Sequence, residues 1–260
     1  MVEEPAVQLK PEELYPDPVF KEMVEAGVFF GRKKSRTNPK IKSFILTNRS
    51  GIEIVNLGKT MEVLEKTTVF LRDKVRNGAL VLFVATQPPA EGAVELAKEF
   101  GYPVVTRRWL GGTLTNFGII SKRIEYFKKL KSDWAANAFE KYTKKERVMI
   151  EKELGRLNEL MAGLEPLTQI PDVMVVIDPN LHITAVREAR HLKVPVIAFA
   201  NTDSDPDMLN FPVVGNNKGR VSINWFLSKL RVAIEEGKTA AIEKAAAEAA
   251  ASVPVEAKAK

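Results

Sequence analysis

Short apolar runs alternate with amphipathic stretches along most of the chain. Residues 79–85, Ala-Leu-Val-Leu-Phe-Val-Ala, form an uninterrupted apolar run rich in β-formers. A strand buried on both faces, as in a parallel sheet, has this composition. Upstream, Met61, Leu64, Thr68, Leu71 and Val75 recur at steps of three and four, and Gly78 ends the series. That spacing predicts a helix with one buried face, with Thr60 as its N-cap. Downstream the pattern predicts a helix over 90–100, closed by Gly101, and a strand over 103–106. The alternation resumes with a strand at 172–177, a helix at 182–192, strands at 195–200 and 211–214, and a helix at 221–234. A short amphipathic segment at 19–26, ending at Gly27, and an alternating strand at Ile52–Val55 precede the series. Buried strands alternating with helices predict right-handed crossovers and an α/β fold built on a doubly wound parallel sheet.

The alternation breaks between 116 and 166. Ile120, Ile124 and Phe127 form one narrow stripe among Lys122, Arg123, Lys128, Lys129 and Lys131. Ile150, Leu154, Leu157 and Met161 form a second, on a segment crowded with Lys, Arg and Glu. Two helices with narrow seams and wide charged faces can seal against each other, which predicts an inserted antiparallel helical hairpin projecting from the sheet domain. The alternative is two ordinary helices lying on the main core. The chain therefore divides into an extended, proline-rich arm at 1–18, a discontinuous α/β domain at 19–115 and 167–236, the hairpin at 116–166, and an alanine-rich flexible tail at 237–260.

Composition narrows the chemistry. Lys and Arg outnumber Asp and Glu by 39 to 33, a formal charge of +6, which favours polyanions such as nucleic acid or an acidic membrane surface. The absence of cysteine removes disulfides, thiolate catalysis and cysteine-ligated metal sites, and fits a reducing compartment. The first residues carry neither a basic region nor an apolar stretch, so no signal peptide is expected, and no apolar run approaches the roughly 20 residues needed to span a bilayer. The expectation is a cytoplasmic protein with no membrane partner.

Catalytic patterns fail one by one. The first strand ends at Thr86-Gln87-Pro88-Pro89, where a dinucleotide site needs glycines, and two prolines remove backbone donors. Gly58-Lys59-Thr60 lacks the upstream glycine of a phosphate-binding loop, since Glu53 stands there. Asp203, Asp205 and Asp207 alternate after a strand and could hold a magnesium ion, but Met208 and Val214 stand where a calcium loop needs glycine and glutamate. Turn-forming and capping carboxylates are the default for such a stretch. His182 and His191 are the only histidines and fit no metal or nucleophile pattern. No cofactor or metal is expected.

The binding signal is stronger. Arg32, Lys33, Lys34, Arg36, Lys40, Lys42 and Arg49 fall in a stretch without Asp or Glu. Each cation can neutralise a phosphate and release condensed counterions, whereas a merely solvated face mixes both signs. Asn38-Pro39 bends this loop and leaves amide groups for RNA edges or sugars. In Thr106-Arg107-Arg108-Trp109-Leu110-Gly111-Gly112, the arginines supply forked donors for phosphate and the glycines allow close backbone approach. Trp109 could stack on a base or sit as a buried hinge aromatic.

These motifs resemble a known family. Ala26-Gly27-Val28, Phe30-Gly31 and Asn38-Pro39-Lys40 are similar to the opening of the bacterial family of small-subunit ribosomal protein two. Arg108-Trp109-Leu110-Gly111-Gly112 with Leu114-Thr115-Asn116-Phe117 is highly characteristic of it. Leu57, Lys59-Thr60, Asp178-Pro179, Glu188-Ala189, Pro195-Val196, Asp205-Pro206-Asp207, Pro212 and Gly215-Asn216 follow in family order, so the resemblance covers about residues 14–232. It implies a flavodoxin-like α/β domain with a coiled-coil hairpin. It also implies binding to small-subunit ribosomal RNA near the messenger exit side, neighbouring small-subunit proteins as partners, and docking of the messenger-binding ribosomal protein one. The chain departs from the family at Phe29 and Arg32, where histidines are common, at Thr37 in place of a tryptophan, and at Asn201 in place of an aspartate. Gln87-Pro88-Pro89 replaces a more basic strand end and Asn217-Lys218-Gly219-Arg220 a more acidic stretch, so a family metal site on such positions is not expected and the RNA surface is redistributed.

The expected function is a non-catalytic, ribosome-bound RNA-binding component. Its expected contacts are Arg32, Lys33, Lys34, Arg36, Asn38, Lys40 and Lys42 in the loop, and Arg107, Arg108, Trp109, Gly111, Gly112 and Asn116 in the glycine turn. Lys122 and Arg123 on the hairpin and Lys218 and Arg220 near the last helix complete them. The rival is an α/β enzyme acting on a phosphorylated metabolite, which a specific thermal shift with such ligands would reveal.

Overall fold

A computed structural model of the chain describes residues 18–251. The arm expected at 1–18 lies outside these residues except for Pro18, which opens helix α1 (Pro18–Glu25). Strand β1 (Phe30–Lys33), β2 (Ile45–Arg49) and β3 (Ile52–Val55) follow, then α2 (Leu57–Arg76), β4 (Val81–Val84), α3 (Glu91–Phe100) and β5 (Val104–Val105). Helices α4 (Phe117–Ala135) and α5 (Lys144–Met161) come next. The chain continues through β6 (Val173–Ile177), α6 (Ile183–His191), β7 (Val196–Ala200), β8 (Phe211–Val214) and α7 (Arg220–Ala251).

Five strands form one parallel sheet in the order β5-β4-β6-β7-β8. Counted within this sheet, that order is 2-1-3-4-5, the flavodoxin-like arrangement, with its topological switch point between β4 and β6. The apolar runs that predicted these strands serve two cores at once. Phe83, Val175 and Phe199 face α1, α2, α3 and α7, while Leu82, Val84, Met174, Val176 and Ala198 face α4, α5 and α6. Alternate residues point to opposite faces of a strand, so only an unbroken apolar run satisfies both. Each large side chain so buried contributes roughly 1.5–3 kcal/mol.

Some elements differ from the periodic reading. Helix α2 begins three residues before Thr60, and its cap is Asn56, whose Oδ1 accepts from Lys59 N at 3.3 Å. Thr60 lies buried within the helix and donates its hydroxyl to the Val214 carbonyl at 2.7 Å, tying α2 to the end of β8. Helices α4 and α5 pack on each other, and Thr143 and Glu146 form a capping box at the start of α5. Their stripes do not close on each other alone. Ile120, Ile124, Phe127, Leu157 and Met161 join the core on the sheet face, whereas Ile150 and Leu154 are only half-buried. The residues from 140 to 149, between and beyond these anchored ends, are exposed.

Helix α7 runs past the expected end near 234 and takes in residues 237–251, assigned above to a flexible tail. A local reason is Lys238, whose ammonium donates to the Phe100 carbonyl at 2.8 Å and sits 4.9 Å from the Phe100 ring centroid. Residues 252–260 lie outside the described chain.

A second, antiparallel sheet of order β1-β3-β2 was foreseen only in its middle strand. Strand β2 shows one half-buried residue followed by four exposed ones, so it carries no apolar alternation to read. Its pairing is set by the hairpin at Ser50-Gly51, where both residues have positive φ (53° and 79°), as a type I′ turn requires.

Candidate nucleic-acid interface

The basic stretch is not a loose loop. Lys34–Arg36 and Pro39–Phe44 are 3-10 turns between β1 and β2, with Ile41 fully buried beneath them. Asn38 anchors the bend. Its N–H donates to the Thr202 carbonyl at 2.8 Å and its Oδ1 accepts from Lys40 N at 3.0 Å, so only its side-chain NH2 remains for a ligand. Gly31 sits against the same neighbour. A Cβ there would stand 2.7 Å from the Glu53 carbonyl oxygen and 2.9 Å from Thr202 Cγ2. Gly31→Ala is therefore expected to cost about 1–3 kcal/mol, measured by urea unfolding, because backbone rather than a flexible side chain must yield. A wild-type midpoint would contradict this.

The stretch is free of acids in sequence but not in space. The 201–207 segment after β7 brings its aspartates to it. Arg32 Nε lies 3.4 Å from Asp203 Oδ2, its Nη2 donates to Asn217 Oδ1 at 3.4 Å, and its N–H donates to Thr202 Oγ1 at 2.9 Å. Lys40 pairs with Asp205 at 3.0 Å and Asp207 at 2.7 Å. Burial opposes ionisation of Asp205, but Lys40 and the Asp207 amide outweigh it and hold the carboxyl below its ordinary range. Asp205 also caps the short 3-10 turn at Pro206–Met208. The aspartates considered as magnesium ligands are thus engaged by cations and a cap. A metal ion does not fit beside Arg32, whose guanidinium already supplies the positive charge between Asp203 and Asn217. Among the described residues no three His, Asp or Glu side chains group as metal ligands.

Arg32 and Lys40 are therefore turned to internal partners. Lys33, Lys34, Arg36, Lys42 and Arg49 are exposed, and none forms an ion pair among the described residues.

The glycine turn has a different organisation. The Glu188 carboxylate, on α6 and buried, accepts five hydrogen bonds from it. Trp109 Nε1 and Gly112 N donate to Oε1, both at 2.9 Å. Leu114 N, at 3.0 Å, and Thr115 N and Oγ1, each at 3.2 Å, donate to Oε2. Gly112 has φ +87°, a left-handed conformation that turns its N–H onto the carboxylate. Burial pushes the Glu188 carboxyl up, but the Trp109 indole and the amides of Gly112, Leu114 and Thr115 together hold it below its ordinary value. Trp109 and Gly112, expected as RNA contacts, are thus also parts of the turn's own framework. Trp109 is only 8% exposed and both donors are engaged, so these residues build the turn. Sequence spacing offered no sign of Glu188, which lies more than seventy residues away along the chain. Arg107 makes a long pair with Glu159 on α5 at 3.6 Å; Arg108 is exposed with no ion pair among the described residues. Gly111 is exposed, with nothing within 4 Å of where a Cβ would stand, and Asn116, Lys122 and Arg123 are exposed at and beyond the start of α4.

At the switch point, where open α/β sheets bind ligands, the chain fills its own crevice. Asp178, with φ +64° at the end of β6, accepts from Gln87 Nε2 at 2.9 Å and pairs with Lys218 Nζ at 2.7 Å. Lys218 also donates to Gln87 Oε1 at 2.6 Å, so its ammonium bridges both side chains. Arg220 is exposed and lies 3.9 Å from Glu91. Beside this triad a cleft of about 410 Å³ remains, whose lining includes Thr86, Arg107, Arg108, Trp109, Gly111 and His182. His182 Nε2 is 3.4 Å from Thr86 Oγ1, and burial holds the imidazole below its ordinary pKa, so it is neutral at pH 7. No nucleophile, base and oxyanion donors converge there.

Fold and site together define an α/β protein of flavodoxin-like strand order, with Gln87, Asp178 and Lys218 bonded across its switch point and exposed cations on the stretch between β1 and β2. Comparison with known proteins supplies the family. The family described as Ribosomal protein S2 matches residues 23–237. A protein of Thermus thermophilus named small ribosomal subunit protein uS2 is 44% identical over 210 residues, covering 80% of this chain and 82% of its own. The uS2 protein of Corynebacterium diphtheriae is 40% identical over 231 residues, covering 88% and 87%. That of Corynebacterium glutamicum is 39% identical over 226 residues, covering 86% of each chain. The chain belongs to the ribosomal protein S2 family, a family of structural ribosomal components and not of enzymes.

Proposed function

We propose that this chain is a structural constituent of the small ribosomal subunit that works in the cytoplasm by binding small-subunit ribosomal RNA through phosphate contacts. The observation that carries the reading is the division of labour in the basic stretch. Arg32 and Lys40 fasten it to the 201–207 segment, and Lys33, Lys34, Arg36 and Lys42 are held outward without carboxylate partners. Cations fixed on a rigid support neutralise phosphates without first leaving internal ion pairs. Arg108, Lys122 and Arg123 are exposed as well, at the glycine turn and on α4, and are further candidate phosphate contacts.

Two finer parts belong to the same reading. The α4–α5 pair acts as a projecting coiled-coil hairpin, supported by the exposure of Tyr142, Val148 and Met149 away from the sheet. Neighbouring small-subunit proteins, including the messenger-binding protein one, dock on this chain, an inference resting on the family alone. Sedimentation of a native lysate tests the core of the proposal. The chain should travel with small subunits and leave them as salt is raised. Recovery only in the light fractions at low salt would overturn it.

A further inference from the structure

We propose that the outer face of the three-stranded sheet β1-β3-β2 is a platform on which unpaired RNA bases stack, with Phe30 as the aromatic seat and Lys33 and Arg49 as its phosphate contacts. The inference rests on the RNA-binding reading above and adds a site and a ligand class to it.

Register places the residues. Phe30 pairs with Ile54 and Lys33 with Ile52 across β1 and β3, while Thr47 pairs with Ile54 and Arg49 with Ile52 across β2 and β3. Directly paired residues point to the same side of a sheet. The register shifts between Phe30 and Lys33, where a bulge takes up the extra residue of β1, so one face carries a row Phe30, Ile54, Thr47 beside a row Lys33, Ile52, Arg49. The opposite face holds Glu53 and Val55, both buried, and packs inward.

The outer face is open. Phe30 is 45% exposed and Ile52 39%, large values for apolar side chains on a paired sheet. The Phe30 ring is nonetheless fixed in place. Its centroid lies 4.2 Å from that of Phe29, and the space above Gly27 admits its edge, at 3.5 Å from where a Cβ would stand. An aromatic ring held by its neighbours and bare on its other side loses little freedom when a base stacks on it.

Charge identifies the occupant. Between Glu25 and Glu53 the chain has no carboxylate. Lys33 and Arg49 are exposed, lie on either side of Ile52, and form no ion pair among the described residues. Two strand spacings set them about 10 Å apart. A nucleotide strand crossing the sheet can rest a base on Phe30 and Ile54 and direct its phosphates to the cations. A duplex keeps its bases stacked inside and offers none to Phe30, so single-stranded or looped RNA is the expected ligand class.

The test uses the full chain and a short single-stranded oligoribonucleotide carrying 2-aminopurine, whose fluorescence is quenched on stacking. Wild type should quench it and bind it more tightly than a duplex of the same length. Phe30→Leu, which keeps the apolar volume but loses the aromatic face, should weaken binding about 5- to 100-fold, and Phe30→Trp should preserve it. Lys33→Gln with Arg49→Gln should lower the salt slope by about 1.4, roughly 0.7 for each contact to a single strand. Thermal melting confirms that each variant is folded. Unchanged affinity in folded Phe30→Leu overturns the platform, and if this variant instead loses a neighbouring protein from assembled subunits, the face is a protein-docking surface. Those results leave the RNA-binding reading standing if the chain still binds ribosomal RNA with salt dependence. A wild-type chain that binds no RNA and does not travel with small subunits overturns both.

Discussion

Glu188→Ala is expected to destabilise the folded chain by about 3–5 kcal/mol, because it leaves a set of inward-pointing donors with no acceptor. The five donors come from Trp109, Gly112, Leu114 and Thr115, and none of them has another acceptor among the described residues. Against a total stability of roughly 5–15 kcal/mol, such a loss is a large fraction. Chemical denaturation measures it, and a shift below about 1 kcal/mol would sink the assignment. Glu188→Gln should be nearly as harmful, since its amide nitrogen turns donors toward donors. The pH dependence has a definite sign. The folded carboxyl is held below its ordinary value of 4.5, so its contribution is present above that pH and is lost as pH falls through the folded value. The glutamine variant should lack this acid limb. Because Arg107 and Arg108 flank the same turn, the alanine variant should also weaken association with small subunits, through disorder of the turn and not through loss of charge.

The second large effect is expected from Lys33, Lys34, Arg36 and Lys42 changed together to glutamine. Affinity for small-subunit ribosomal RNA should fall by an order of magnitude or more, and its dependence on salt should flatten by roughly one for each phosphate contact removed. The fold should melt close to wild type, since none of these four pairs with a carboxylate. Arg32→Gln and Lys40→Gln make the contrast. They break the ties to Asp203 and to Asp205 and Asp207, so they should act chiefly on the stability of the bend and much less on the salt slope. Filter binding across a salt series separates the two groups. Equal slopes for wild type and the fourfold variant would remove the basic stretch from the RNA surface.

These contrasts also mark where residue type alone misled. Arg32, Lys40 and Lys218 looked equivalent to their neighbours because charge is visible in sequence and pairing is not. Each meets an acid across the fold: Arg32 and Lys40 in the 201–207 segment, Lys218 at Asp178. Trp109 admitted both a stacking and a buried role, and its tie to Glu188 exists only once α6 arrives beside the turn. The strands β1 and β2 were missed for a related reason. An exposed edge strand has no core face to impress a period on its residues, and β2 is held by its partner and a two-residue turn.

What the chain determined by itself was the layered α/β core. Strands buried on both faces must be apolar throughout and amphipathic helices must repeat near every third or fourth residue, so both leave their mark in local order. The cationic stretch was equally plain, since charge needs no partner to be seen. Which cations remain free, which glycines and aromatics are scaffold, and which face of the small sheet stays open were decided by tertiary structure. Those properties belong to pairs of residues far apart in sequence, and an ion pair, a shared carboxylate or a strand register exists only once the fold has brought them together.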